Sequence, residues 1–194
     1  MPRPDRTDEK RRELLPVVTA TFADLGYRRA STAVLAERCA VQVNILYRLW
    51  PDKQAMFLAA IEHVFDNSLE TWRALLDEAD DPSQAARQLL RYEAEHLGEH
   101  GFYRILFAGL GETDDPAIIE ALAQTFGRFV TFIRSQVAAH RGESGPGSRA
   151  SAERAAWAFL GLGTAANIGR ELGLLSAAQR SRLFNDVGEL ILDG

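Results

Sequence analysis

Apolar residues recur along this chain every three or four positions, and no alternating strand pattern survives inspection, so the expectation is an all-α protein of about nine helices. Leu14, Val17, Val18, Thr21, Phe22 and Leu25 make the first apolar face. Gly26 closes it as a C-terminal stop, and Pro16 inside it predicts either a kink or a helix ordered only from that point. Ser31 caps a short helix through Cys39, and a second short helix is expected from about Gln42 to Leu49. Pro51 and Asp52 open a long helix with Phe57, Ile61, Phe65, Leu69, Trp72 and Leu76 on one stripe. Asp81-Pro82 and Asp115-Pro116 each set a capping acid before a proline at the first helical position. Helices over about 83–99 and 116–140 follow, with a shorter one between them. Residues 141–151, RGESGPGSRAS, read as a polar loop, and Ser176 with Gln179 forms a capping box for the last helix.

Composition narrows the class. The chain has 194 residues, 46% of them hydrophobic and 25% charged, enough to bury a core and too apolar for disorder. The longest uncharged stretch, residues 155–169, is shorter than the roughly 20 residues of a spanning helix. The start, MPRPDRTDEKRRE, is too charged for a signal peptide, and a soluble, cytoplasmic protein is expected. Cys39 is the single cysteine, which excludes an intramolecular disulfide and a cysteine-built zinc site. The net charge of −5 divides into +3 over residues 1–55 and −8 over the remainder. One end only is therefore suited to a polyanion.

Two short helices at 31–39 and 42–49, joined by a tight turn, have the dimensions of a helix-turn-helix. Leu35, Ala36, Val41 and Leu46 supply the apolar crossing contacts. Tyr47, Arg48 and Lys53 emerge where they reach phosphates.

The run GYRRASTAVLAERCAVQVNILYRLWPDKQAMF, residues 26–57, resembles the DNA-binding head of the TetR family of one-component transcriptional regulators. The resemblance lies in Gly26-Tyr27, Ser31, Leu35-Ala36, Val41, Leu46-Tyr47 and the pair Trp50 and Lys53. Beyond about residue 57, only the helical pattern and the length agree. The resemblance implies a three-helix head over residues 1–53 and a helical ligand-binding and dimerisation domain over 54–194. It makes Ser31, Tyr47 and Lys53 phosphate contacts and turns Gln42, Val43, Asn44 and Arg48 toward the groove. Arg3, Arg6, Lys10, Arg11 and Arg12 are expected to add a sequence-independent electrostatic term from a flexible arm. The chain departs from the family at Ala40, where a turn glycine is usual, at Gln42, a poor cap, and at the apolar Val43 and Ile45. Leu49 stands where histidine is common.

The resemblance also implies a homodimer on a pseudo-palindromic operator, repression relieved by a small apolar effector, and the long helix from Asp52 as lever. Candidate effector contacts are Phe65, Trp72, Tyr92, His96, Arg104, Phe107, Phe126, Phe129, Trp157 and Asn167. Candidate dimer-seam residues are Ala158, Gly161, Ala165 and Gly169 on one helix, whose small side chains admit a close neighbour, with Leu183, Val187 and Leu190 on the last.

Competing chemistry is thin. His96, Glu99 and His100 fit H-x-x-E-H, but the pattern lies at a helix end, where histidines are favoured by the dipole, and no third ligand follows. Cys39 reads as a small packed residue. No phosphate loop, nucleophile elbow or paired carboxylates occur, so neither an enzyme nor a cofactor is expected. The alternative function is a helical ligand-binding or protein-interaction module with a degenerate DNA head.

Overall fold

A computed structural model describes residues 6–98, 101–112, 114–142 and 146–194, with the side chains of 146–148 excepted. Among these residues are nine helices and no strand: α1 Arg6–Arg29, α2 Thr32–Arg38, α3 Val43–Leu49, α4 Lys53–Asp77, α5 Pro82–His96, α6 Phe102–Leu110, α7 Pro116–His140, α8 Pro146–Glu171 and α9 Ala177–Asp193. No described helix is long and apolar enough to cross a membrane.

The caps follow the local sequence. Asp81 accepts from the Gln84 amide at 2.9 Å, and Asp115 accepts from Ala117 and Ile118. Ser176 and Gln179 bond reciprocally as a capping box, so the orphan amides of these helix starts are met by side chains two or three residues away.

Four expectations need correction. α1 continues on both sides of Pro16, and its break falls at Gly26, whose φ of 74° and ψ of 166° suit a residue without Cβ. Residues 6–12 belong to that helix and are not a flexible arm; Arg3 lies outside the described residues. The polar stretch 141–151 is cut short because α8 begins at Pro146, a residue preset for a first helical turn. α5 ends at His96, earlier than residue 99.

The chain forms two compact units, one of residues 1–67 with 100–125 and the other of residues 68–99 with 126–194. In the first, α1 packs against α2, α3 and α6. Leu14, Val18, Phe22, Leu35, Leu46, Phe57 and Ile105 are buried. The Phe22 and Phe57 rings meet edge-on at 4.9 Å. Val17, on the same predicted face, is exposed.

In the second unit α9 packs on α5 and α8. Ala86, Val137, Ala152, Ala155 and Leu192 form its core, with Ile133, Ala138, Phe159 and Ile191 against it. The carboxy-terminal end of α9 is tied down by charge. Arg87 pairs with Glu189 and Asp193, His140 meets Asp193 at 3.1 Å, and Arg141 donates to the Ile191 and Leu192 carbonyls. Cations at a helix C-terminus satisfy carbonyls that have no intrahelical donor.

Candidate nucleic-acid interface

Ser31 is the N-cap of α2, its hydroxyl oxygen accepting from the Val34 amide at 3.3 Å. A hydroxyl that accepts there keeps its own proton for a second partner. The turn into α3 closes with Ala40 N–H to Glu37 O and Val41 N–H to Ala36 O, both at 3.0 Å. That is the doubly bonded helix ending whose central residue is usually glycine. Here it is Ala40, at φ 52°, which crowds its Cβ against the backbone.

α3 is seven residues long and receives no side-chain cap from Gln42. So short a helix has little stability of its own, and burial holds it in place. Leu46 and Leu49 are covered, as is the following Trp50. The opposite surface exposes Gln42, Asn44, Tyr47 and Arg48, with Val43 and Ile45 half-buried. The buried leucines thus orient a continuous polar and aromatic face to solvent. The Tyr47 hydroxyl lies 3.5 Å from that of Thr32, joining the outer ends of α2 and α3.

Several cations of this region are already engaged. Lys10 pairs with Glu13, Arg11 with Asp8, Arg28 with Glu112 and Arg38 with Asp24. Lys53, at the start of α4, donates to the Tyr27 carbonyl at 2.9 Å and lies over the Tyr27 ring. Burial, then the carboxylates of Asp115, Asp52 and Glu112, push the Tyr27 phenol above its usual range, so it stays neutral and its ring remains a face for the ammonium. Cys39 is buried and its thiol is raised, chiefly by burial, with Lys10 opposing the shift. That environment disfavours the reactive thiolate.

The candidate effector residues fall in both units. Phe65, Arg104 and Phe107 belong to the first, where Arg104 is exposed and paired to Asp24 at 3.3 Å. Trp72, Tyr92, His96, Phe126, Phe129, Trp157 and Asn167 belong to the second. Trp72 and Phe129 are buried there, the indole stacked on Phe132 at 5.1 Å and edge-on to Phe129 at 5.3 Å. The indole N–H donates to Glu93 at 2.6 Å, a partner that periodicity did not single out. Tyr92 and His96 stack at 4.2 Å, and the His96 Nδ1 bond to the Tyr92 carbonyl, 2.9 Å, requires the proton on Nδ1. Phe126 contacts Trp157, whose ring is largely exposed. Asn167 is buried, donates to Gly163 at 3.0 Å, and leaves its Oδ1 without a partner. Glu99 and His100 lie outside the described residues, and no group of three metal-ligating side chains occurs among the described ones.

Of the candidate seam residues, Ala158, Gly161 and Ala165 are exposed on α8. Gly169 is not on that free surface: a Cβ there would lie 2.6 Å from Leu175 of the same chain, so its smallness serves an internal contact. Ile168 is also exposed on α8, and Leu172 is exposed in the turn that follows it. On α9, Leu190 is 74% exposed, while Leu183 and Val187 are half-buried.

The sequence pattern of the bacterial regulatory proteins of the tetR family matches residues 18–60, the span that contains α2, the turn and α3. Residues 18–60 are thus a DNA-binding head of the TetR-family pattern. Two relatives agree with that reading of the head. The HTH-type transcriptional activator FasR of Mycolicibacterium smegmatis is 29% identical over 102 residues, which are 52% of this chain and 46% of that protein. The HTH-type transcriptional regulator YuxN of Bacillus subtilis is 25% identical over 92 residues, 47% of this chain and 32% of the other. The chain thus matches less than half the length of either. A TetR-like transcriptional regulator from a Rhodococcus species shares the fold across 100% of this chain and 99% of its own, with a TM-score of 0.70 at 17% identity. The TetR-family helix-turn-helix is accordingly α2 and α3, and the all-helical remainder has the family's architecture.

Proposed function

We propose that this TetR-family regulator is a ligand-responsive repressor that binds a pseudo-palindromic operator as a homodimer. Residues 1–53 read DNA, and residues 54–194 bind the effector and dimerise. The observation that carries the proposal is the two-sidedness of α3, with Leu46 and Leu49 buried and Gln42, Asn44, Tyr47 and Arg48 turned outward.

Ser31, Tyr47 and Lys53 hold phosphates. Asn44 pairs with adenine N6 and N7, Arg48 with guanine O6 and N7 or with a phosphate, and Val43 meets thymine methyls. Gln42 completes the groove-facing set. The exposed apolar stripe of α8 and α9 supports self-association, because apolar side chains gathered on one surface are hidden from water by a partner. Two-fold symmetry then sets a recognition helix on each half-site.

A small apolar effector, held in the second unit by aromatic side chains and oriented by Tyr92, His96 or Asn167, favours a conformation with mis-spaced heads. Operator DNA must weaken effector binding by the same factor. Nothing in this role calls for catalysis or a cofactor, and it belongs in the cytoplasm.

Selection of random duplex DNA by the purified protein at two salt concentrations tests the reading. Enrichment of a pseudo-palindrome whose binding weakens steeply with salt is expected. No enrichment at either salt would move a helical binding module with a degenerate head ahead of it. Equal operator binding by effector-free and effector-saturated dimers would remove the ligand response.

A further inference from the structure

Arg11 lies in the second turn of α1, yet its guanidinium reaches residue 49. Nε and Nη2 donate to the Leu49 carbonyl at 3.2 and 2.8 Å, and Nη1 donates to Asp8 at 2.9 Å. Leu49 is the last residue of α3, so its carbonyl is among those without an intrahelical donor. A cation there also faces the negative end of the helix dipole. The amide following Leu49, that of Trp50, closes on Leu46 at 2.8 Å, leaving the Leu49 oxygen to Arg11.

The opposite end of α3 lacks any side-chain cap. Besides the long Tyr47–Thr32 hydroxyl contact, the polar hold on α3 is at its C-terminal end, from a guanidinium 38 residues away. Its planar donors fix direction as well as distance.

We infer that Arg11 is a positioning residue for DNA recognition: it sets the angle at which α3 presents Asn44 and Arg48, and it contacts no phosphate itself. The inference rests on the DNA-binding reading above. It assigns Arg11 a role opposite to that of an electrostatic arm, because a guanidinium occupied by Leu49 and Asp8 is withdrawn from the counterion exchange that makes binding salt-dependent.

The test compares wild type with Arg11→Gln and Arg11→Ala. Affinities for the selected duplex and for a scrambled duplex are measured at several salt concentrations, with thermal unfolding to confirm that each variant is folded. Both variants are expected to bind the selected duplex about tenfold more weakly, the scale of losing bonds from a charged donor. The logarithmic salt slope and the affinity for scrambled duplex should match wild type. A slope shallower by about 0.9 would make Arg11 a phosphate contact and overturn the inference, as would wild-type affinity for the selected duplex.

Amide exchange in the free protein supplies an arm that needs no DNA. Faster exchange confined to residues 46–50 in Arg11→Gln is expected, and unchanged exchange would overturn the tether. If wild type selects no duplex, the regulator reading fails and the recognition role of Arg11 falls with it. A failure at Arg11 alone leaves that reading standing.

Discussion

The ammonium of Lys53 sits 4.3 Å from the centre of the Tyr27 ring and donates to the carbonyl of the same residue. One contact uses the charge and the other a single N–H, so two donors stay available at the surface. Lys53 can therefore brace the start of α4 and hold a phosphate together. Lys53→Gln should cost about 0.5–1 kcal/mol in urea unfolding and make the logarithmic salt slope of DNA binding shallower by about 0.9. An unchanged slope would remove Lys53 from the phosphate contacts.

The turn between α2 and α3 carries avoidable strain. Ala40 adopts φ 52° within a doubly bonded helix ending, and Ala40→Gly should raise stability by about 1 kcal/mol. Gln42 gives α3 no cap, and Gln42→Ser should add a similar amount, about 1 kcal/mol. Chemical denaturation measures both. Only the second replaces a side chain proposed to face the groove, so only Gln42→Ser should also alter the selected DNA sequence.

Leu172, in the turn just after α8, is 66% exposed, and Leu190 on α9 is 74% exposed. Charging them, as Leu172→Glu and Leu190→Glu, should leave the monomer fold intact and shift sedimentation from dimer to monomer. Gly169→Ala is expected to behave differently. It would collide with Leu175 and lower the unfolding temperature without a specific effect on association.

Acid should loosen the end of α9. The Asp193 carboxyl is held below its usual range, first by its bond to His140 and further by Arg87, against the opposing effect of burial. A carboxyl depressed in the fold contributes stability above its unfolded value, about 3.9. That contribution fades as pH falls through the lower folded value. Wild type should therefore lose stability below about pH 4 more steeply than Asp193→Asn, as followed by thermal unfolding across pH. Parallel curves would show that the cluster does not couple to folding.

The helices that open on a capping side chain were legible because their causes are local. Ser31, Asp81, Asp115 and Ser176 each accept from an amide two or three residues onward, a distance at which residue identity alone predicts the bond. The head was legible for a related reason: a helix-turn-helix packs its apolar residues within some twenty positions. Ala40 was visible in advance as a departure from glycine, and its backbone carries the cost.

Arg11, Arg104 and Gly169 were not legible in this way. Spacing reads Arg11 as an arm cation, Arg104 as an effector contact and Gly169 as a dimer-seam residue. Arg11 is engaged 38 residues away and Arg104 80 residues away, while Gly169 accommodates a leucine that the chain brings back after the end of α8. Sequence by itself determined where the capped helices start, which faces are apolar and which family the head resembles, since periodicity and capping act over one or two turns. Tertiary structure alone decided which charges are spent and which small residues are covered. Those outcomes depend on segments distant in the chain closing to within about 3 Å, the range at which a hydrogen bond forms.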